Sequence, residues 1–318
     1  MSPSKNELPH FMLLPGGARF ILHSELPSLL KLAEAGIHDR SVVTLYGERD
    51  TGKSMFLKGF QQWVAWEPKT LAADQVVIIS LKRSPRAEAR RGDIISPMTL
   101  VTFALLWREL QRLQYPAYLA ADARKNEDVL KNHGEGEFWR MSGEIERLIR
   151  ELGIAAICID NAELLNDLAI DWLIDLRERC EEQFGLVLSI RLEKDERSDL
   201  AKFKRFVELR DDLDALTPTL RLTAITLEQF PGEVLPKILA SLEAKPGPDL
   251  EENKDKSRNF IVHWWKSTHG RWRALALVAL AYDKELADQR QRPRLITQKV
   301  VDRVTARLAA RNTIEPVE

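Results

Sequence analysis

The chain has 318 residues, 44% hydrophobic and 30% charged, enough for a sizeable core in one large domain or two modest ones. Its 47 Lys and Arg nearly cancel 48 Asp and Glu, so overall charge favours neither nucleic acid nor a membrane surface, and any such contact has to be local. Two cysteines, Cys158 and Cys180, suggest no disulfide framework and fit a reducing, cytoplasmic setting. The first residues are too polar for a signal peptide, and no run approaches the roughly 20 apolar residues of a membrane helix.

Taken in chain order, residues 1–40 read as a mixed lead-in that ends in an amphipathic helix around Leu26–Ala35. Val42–Tyr46 is a short apolar run with strand character, and KSMFLKGFQQWVAW after it is helical. Gln75–Leu81 is the next strand. A helix opens near Ser96-Pro97, because Pro is tolerated in a first turn where its missing N–H costs nothing. A polar stretch, Ala121–Gly136, leads to a helix over Glu137–Leu152. Ile154–Asp160 and Gly185–Ile190 are buried-strand candidates, with a helix over Leu168–Phe184 between them, and Leu220–Thr223 is a candidate fifth strand. Short apolar, β-branched runs separated by helices predict an α/β fold with a parallel sheet covered on both faces. After Thr226 the pattern turns helical, broken by the Pro/Gly- and charge-rich stretch Lys245–Lys256, with two or three helices running to about Arg311. The expected organisation is a lead-in (1–40), an α/β nucleotide-binding core (41–226) and a small helical lid domain (227–318).

The chemistry concentrates after the first core strand. Gly47-Glu48-Arg49-Asp50-Thr51-Gly52-Lys53-Ser54 has the spacing of a phosphate-binding loop and sits between a strand and a helix. Its glycines let the backbone curl so that N–H groups face a phosphate chain, while Lys53 reaches the terminal phosphates and Ser54 ligates Mg²⁺. Such sites hold the metal with a second carboxylate at a neighbouring strand end, and Ile154–Asp160 supplies Asp160. A guanine-reading Asn-Lys-x-Asp is absent, the nearest string being Glu193-Lys194-Asp195, which favours ATP.

In this order of motifs the chain resembles an AAA+ ATPase, and within that superfamily the transposition regulators of the TnsC/TniB kind. The resembling stretches are GERDTGKS, LGIAAICIDNAELL, TLRLTAITLEQF, THGRWRAL and RLITQKVVDRV, within about Ser41 to Arg311. The resemblance implies homo-oligomers, rings or filaments, that form on double-stranded DNA with ATP and connect a target-selecting protein to a transposase. By the same resemblance Arg273 is the lid arginine that senses the γ-phosphate, and Ser189 or Arg191 is the polar residue ending the fourth strand. Arg205 or Arg210 is the finger that reaches a neighbour's ATP, or a solvated helix arginine.

Two features qualify that expectation. Where the family carries Asp-Glu, this chain has Asp160-Asn161, and an amide cannot take a proton from the attacking water. Glu163 is the substitute base, and hydrolysis is expected to be slow. The string Asp-Asn-Ala-Glu with VLSIR also resembles the signalling ATPases of the STAND class, so a STAND-like or phage-defence signalling ATPase acting through a protein partner is the second alternative, and a nucleotide-binding scaffold with little hydrolysis is a third. For DNA, Lys82, Arg83, Arg86, Arg90 and Arg91 crowd one short segment against a single acid, Glu88, which suits phosphates or an ordinary solvated loop. Lys299, Arg303, Arg307 and Arg311, spaced by four beside Val300, Val304 and Leu308, offer a second basic face or a solvated one.

Overall fold

The structure, a computed structural model, describes residues 11–13, 19–23, 25–66, 71–82, 97–115, 135–191, 219–223, 225–226, 228–251, 260–261, 264–265, 268 and 271–309. By contact density these divide into two compact units. One unit contains the described residues of Leu29–Gly47 and Phe56–Arg221. The other contains those of Met1–Ser28, Glu48–Met55 and Leu222–Glu318.

The first unit is built on five parallel strands: β3 (Val42–Gly47), β4 (Val76–Ser80), β5 (Ala156–Asp160), β6 (Gly185–Arg191) and β7 (Thr219–Arg221). Their spatial order is β4-β5-β6-β3-β7, so β3 lies inside the sheet between β6 and β7. Parallel neighbours need crossover connections, which the helices provide. Alternate residues from every long strand, among them Val42, Val77, Ile79, Ile157, Ile159, Leu186, Leu188 and Ile190, enter one core. That core also holds residues of α3 (Pro97–Gln114), α4 (Glu135–Glu151) and α5 (Asp167–Arg179). The residues in between, Val43, Val76, Ala156, Cys158 and Val187, are buried as well, so the opposite face is covered too. There Gln61 of α2 (Lys53–Trp66) donates to the Val76 carbonyl at 2.7 Å. Gly185 opens β6 so close to α1 (Leu26–His38) that an added Cβ would lie 3.1 Å from Ile37 Cα. Within the buried layer Trp63 Nε1 of α2 donates to Glu34 Oε2 of α1 at 3.1 Å.

The predicted strands fall where they are observed, to within two residues at an end. One helix differs: α5 stops at Arg179 rather than continuing to Phe184, because Glu181 and Glu182 both take left-handed conformations, at φ 53° and 51°. Its start is fixed by Asn166, whose side-chain oxygen accepts from Ala169 N at 3.0 Å.

The second unit has its own core. A π-helical turn (Phe230–Val234) and α6 (Leu235–Ser241) bury Phe230, Val234, Leu235 and Ile238. These belong to one cluster with Trp264, with Leu275, Val278 and Tyr282 of α8 (Trp272–Glu285), and with Val300, Val304 and Leu308 of α9 (Gln298–Ala309). The Trp264 and Tyr282 rings stack at 4.8 Å. The stretch expected to be loop contains a strand, β8 (Ala244–Pro246), and the one-turn helix α7 (Pro248–Glu251). β8 pairs in parallel with β9 (Arg294–Ile296), and the buried Arg294 guanidinium fixes that pairing through the Leu242 carbonyl and Asp283. An antiparallel hairpin of β1 (Phe11–Leu13) and β2 (Arg19–Ile21) was also unexpected. Among the described residues no helix is long and apolar enough to cross a membrane.

Candidate functional site

The phosphate loop follows β3 without a break. Asp50 and Gly52 take positive φ, 63° and 94°, and α2 starts at the next residue, Lys53. Two left-handed positions in three residues make the tight turn from strand to helix, and the first-turn N–H groups of α2 have no intrahelical acceptor. Inside the turn Thr51 Oγ1 donates to the Glu48 carbonyl at 2.9 Å, and Lys53 Nζ donates to the same carbonyl at 2.6 Å. The loop is thus closed on itself with its ammonium folded across it. Arg49 and Asp50 form an exposed ion pair at 3.7 Å, worth little in water. Ser54 is exposed on the first turn of α2.

In the same unit the start of α8 lies against this loop. A Cβ on Gly52 would sit 3.0, 3.1 and 3.3 Å from three atoms of Trp272. The Trp272 ring also stacks with His23, at 5.3 Å with 19° between planes. Burial, then the nearby Lys237 ammonium, push the His23 imidazole down to about 4, with Glu233 opposing, so the stack involves a neutral ring. Arg273 follows Trp272 directly in the helix, with its side chain outside the described part of the structure.

The second element is the end of β5. Asp160 is buried, and its carboxylate is held from both neighbouring strands. Ser189 Oγ of β6 donates to Oδ1 at 3.1 Å, and Ser80 Oγ of β4 donates to Oδ2 at 3.2 Å. The Asn161 N–H adds a third bond, to Oδ1, at 3.1 Å. Asn161 is left-handed at φ 58°, a conformation Asn tolerates better than most residues. Its side-chain amide donates to the Leu81 carbonyl at 2.9 Å, tying the end of β4 to the end of β5. The Asn161 amide therefore makes a structural bond. Glu163, in the 3₁₀ turn Ala162–Leu164, accepts the Arg191 main-chain N–H at 3.1 Å, which fixes one of its oxygens at the end of β6.

No family model and no curated protein matches the chain. Solved structures similar to it include the Walker-type ATPase PABY2304 of Pyrococcus abyssi, at 12% identity and a TM-score of 0.43, covering 92% of this chain and 73% of that one. PCH-2 of C. elegans is similar at 13% identity and a TM-score of 0.41, covering 89% and 67%. The fold itself rests on this chain's own topology. It is an α/β fold with a phosphate-loop turn. A parallel five-stranded sheet carries the GxxxxGKS turn on an inner strand, and a helical lid follows.

The residues fit the groups the fold implies. Gly52 is the one residue type that satisfies both its φ and its contact with Trp272, and the loop keeps Lys53 at its mouth. These features suit a phosphate chain, and a buried, hydroxyl-oriented carboxylate suits the shell of a hard cation. When bound, Mg²⁺ supplies charge neutralisation on phosphate oxygens.

Other predicted residues are distributed as follows. Lys82 is exposed just after β4, while Arg83, Arg86, Arg90, Arg91, Arg205 and Arg210 lie outside the described residues. In α9, Arg303 and Arg307 both reach Glu285 of α8, at 2.9 and 3.3 Å, so those two charges serve the lid's own packing. Val300, Val304 and Leu308 beside them are buried, and Trp63 and Trp172 are core residues. Cys158 and Cys180 are buried thiols, the latter pushed up to about 11 chiefly by burial. Sequence reasoning missed Ser80, Trp272 and His23. Only the register that puts Ser80 beside Asp160 marks the first of these, and nothing local marks the other two.

Proposed function

We propose that this chain binds ATP with Mg²⁺ and, in that form, assembles on double-stranded DNA as a regulator of transposition. In this reading it links a target-selecting protein to a transposase in the manner of the TnsC/TniB proteins it resembles. The observation that carries nucleotide binding is the closed Glu48–Lys53 turn between an inner parallel strand and a helix. Lys53 and Ser54 are assigned to the phosphates and the metal, Asp160 to the metal shell, and Arg273 to the γ-phosphate. The basic segment from Lys82 to Arg91 supports the DNA contact, because clustered Lys and Arg in an otherwise neutral chain form a local phosphate-binding patch.

Turnover is slow in this reading. Asn161 cannot act as a base, and losing a well-placed one costs about 10²–10⁴ in rate. Glu163 is assigned the residual activity. The Asn161 bond to Leu81 favours assembly through nucleotide binding more than through hydrolysis. The test is electron microscopy of the protein with duplex DNA, with and without a non-hydrolysable ATP analogue. Ordered assemblies that need both ligands, and that Lys53→Ala abolishes, are expected. Nucleotide binding without any DNA assembly would overturn the DNA role and favour a signalling ATPase acting through a protein partner.

A further inference from the structure

The arrangement around Asp160 says more than that a carboxylate is present. A free carboxylate offers about four lone-pair positions on two oxygens, and either oxygen, or both together, can ligate a cation. Here Oδ1 accepts two hydrogen bonds, from Ser189 Oγ and from the Asn161 N–H, both at 3.1 Å. Oδ2 accepts one, from Ser80 Oγ at 3.2 Å. Among the described residues, Asp160 thus keeps one lone-pair position, on Oδ2. It is also only 7% exposed, so it has little room to swing.

The donors are placed by the sheet, not by loops. Ser80 is the register partner of Asp160 in the β4–β5 ladder, and Ser189 follows Leu188, the partner of Ile159, in the β5–β6 ladder. Strand alternation puts all three on the same face, the one opposite the core that holds Ile159, Ile79 and Leu188. The carboxylate is therefore clamped between two rigid strands, and Asn161 fixes the chain immediately beyond it through Leu81.

Cations differ in what they ask of a carboxylate. Ca²⁺ takes six to eight oxygens at loose geometry and often binds a carboxylate side-on through both oxygens. Mg²⁺ demands octahedral geometry, keeps several waters and takes a single carboxylate oxygen or contacts it through water. Resting on the nucleotide-binding reading above, we propose that Ser80 and Ser189 are positioning residues that make Asp160 a one-oxygen partner, so that the site selects Mg²⁺ over Ca²⁺. Oδ1 already accepts two hydrogen bonds, which leaves it no lone pair for side-on chelation.

The test measures affinity for a fluorescent ATP analogue in Mg²⁺, in Ca²⁺ and in EDTA, for the wild type, Ser80→Ala, Ser189→Ala and the double variant. Changes in the groups that orient a metal's ligands typically alter metal affinity by about 10–100-fold. The wild type is expected to bind the analogue more tightly with Mg²⁺ than with Ca²⁺. The double variant should shrink this ratio severalfold, mainly by gaining affinity in Ca²⁺, and Ser→Thr at both positions, which keeps the hydroxyls, should restore it. Binding in EDTA should not change, which separates the effect from a general loss of fold. If the double variant does not fold, Ser80→Ala alone carries the test, since Ser80 is exposed at its strand end. A double variant that binds with an unchanged Mg²⁺-to-Ca²⁺ ratio overturns the inference alone. A wild type that binds no nucleotide under any condition overturns the functional reading, and this inference with it.

Discussion

Replacing Gly52 with Ala should damage the phosphate loop in two separable ways. The first is conformational, because φ is 94° there and an L side chain at such a position costs about 1–2 kcal/mol. The second is steric, because the new methyl would lie 3.0–3.3 Å from Trp272, whose ring also stacks on His23. Forcing a methyl into a filled site costs about 1–3 kcal/mol. The loop will relieve the strain by leaving its native turn. If about 2 kcal/mol of that appears in ligand binding, affinity for ATP falls about 30-fold, at about 1.4 kcal/mol per tenfold. A double-mutant cycle with Trp272→Ala separates the parts, because removing the indole takes away the two nearest contacts, at 3.0 and 3.1 Å, while the Cβ contact at 3.3 Å and the cost of φ remain. Nucleotide titration and thermal unfolding of the four proteins should give a coupling of about 1–3 kcal/mol, against about 0.3–0.5 kcal/mol for independent sites. Additivity within that smaller range would refute the idea that the lid helix and the loop are in contact.

Lys53→Ala should abolish nucleotide binding in the same titration, since it removes the ammonium at the mouth of the loop, and wild-type affinity in this variant would remove the loop from the site. Thermal stability should fall as pH drops from about 6.5 to about 4, because the unfolded chain binds a proton that the half-buried His23 refuses. The upper bound is about 3 kcal/mol, at about 1.4 kcal/mol per pH unit, and melts of His23→Gln should lose that part of the pH dependence. Asn161→Glu should destabilise the protein by about 1–3 kcal/mol in denaturant titration, since it strains a left-handed residue and leaves the Leu81 carbonyl unpaired, while Asn161→Gly, which tolerates the conformation, should lose less. Replacing Arg90 and Arg91 with Ala should weaken duplex binding for all sequences and flatten the salt slope of log affinity by roughly 1–2, at about 0.9 per phosphate contact; an unchanged slope would place the DNA site elsewhere.

The central strands were legible because burial on both faces demands continuous apolar runs, and VVTLY, QVVIISL and IAAICID are such runs. The phosphate loop was legible because its chemistry is local, with glycine, lysine and serine all inside one turn. What escaped notice is what the third dimension adds. β8 and β9 are three residues each and become strands only by meeting one another across the lid. The early end of α5 leaves no trace in Cys180–Gly185, whose glutamates are ordinary helix formers. Asn161 was legible as a departure from a pattern, but its bond to Leu81 depends on where β4 ends. Ser80 is one serine among many until the register sets it beside Asp160.

The phosphate loop has a further consequence for how the chain matures. Gly52 and Trp272 lie more than two hundred residues apart in the chain, yet both belong to the unit that contains the lid. During synthesis from the N-terminus, the sheet from β3 to β7 can close before the lid has left the ribosome, whereas the loop must wait for α8 to arrive. Closing so long a loop is an entropic cost met late, and it makes this contact a slow step of folding rather than a seed for it. An unfinished chain therefore carries a formed sheet and an unsupported turn. The support that Trp272 gives the turn is complete only once α8 has been made.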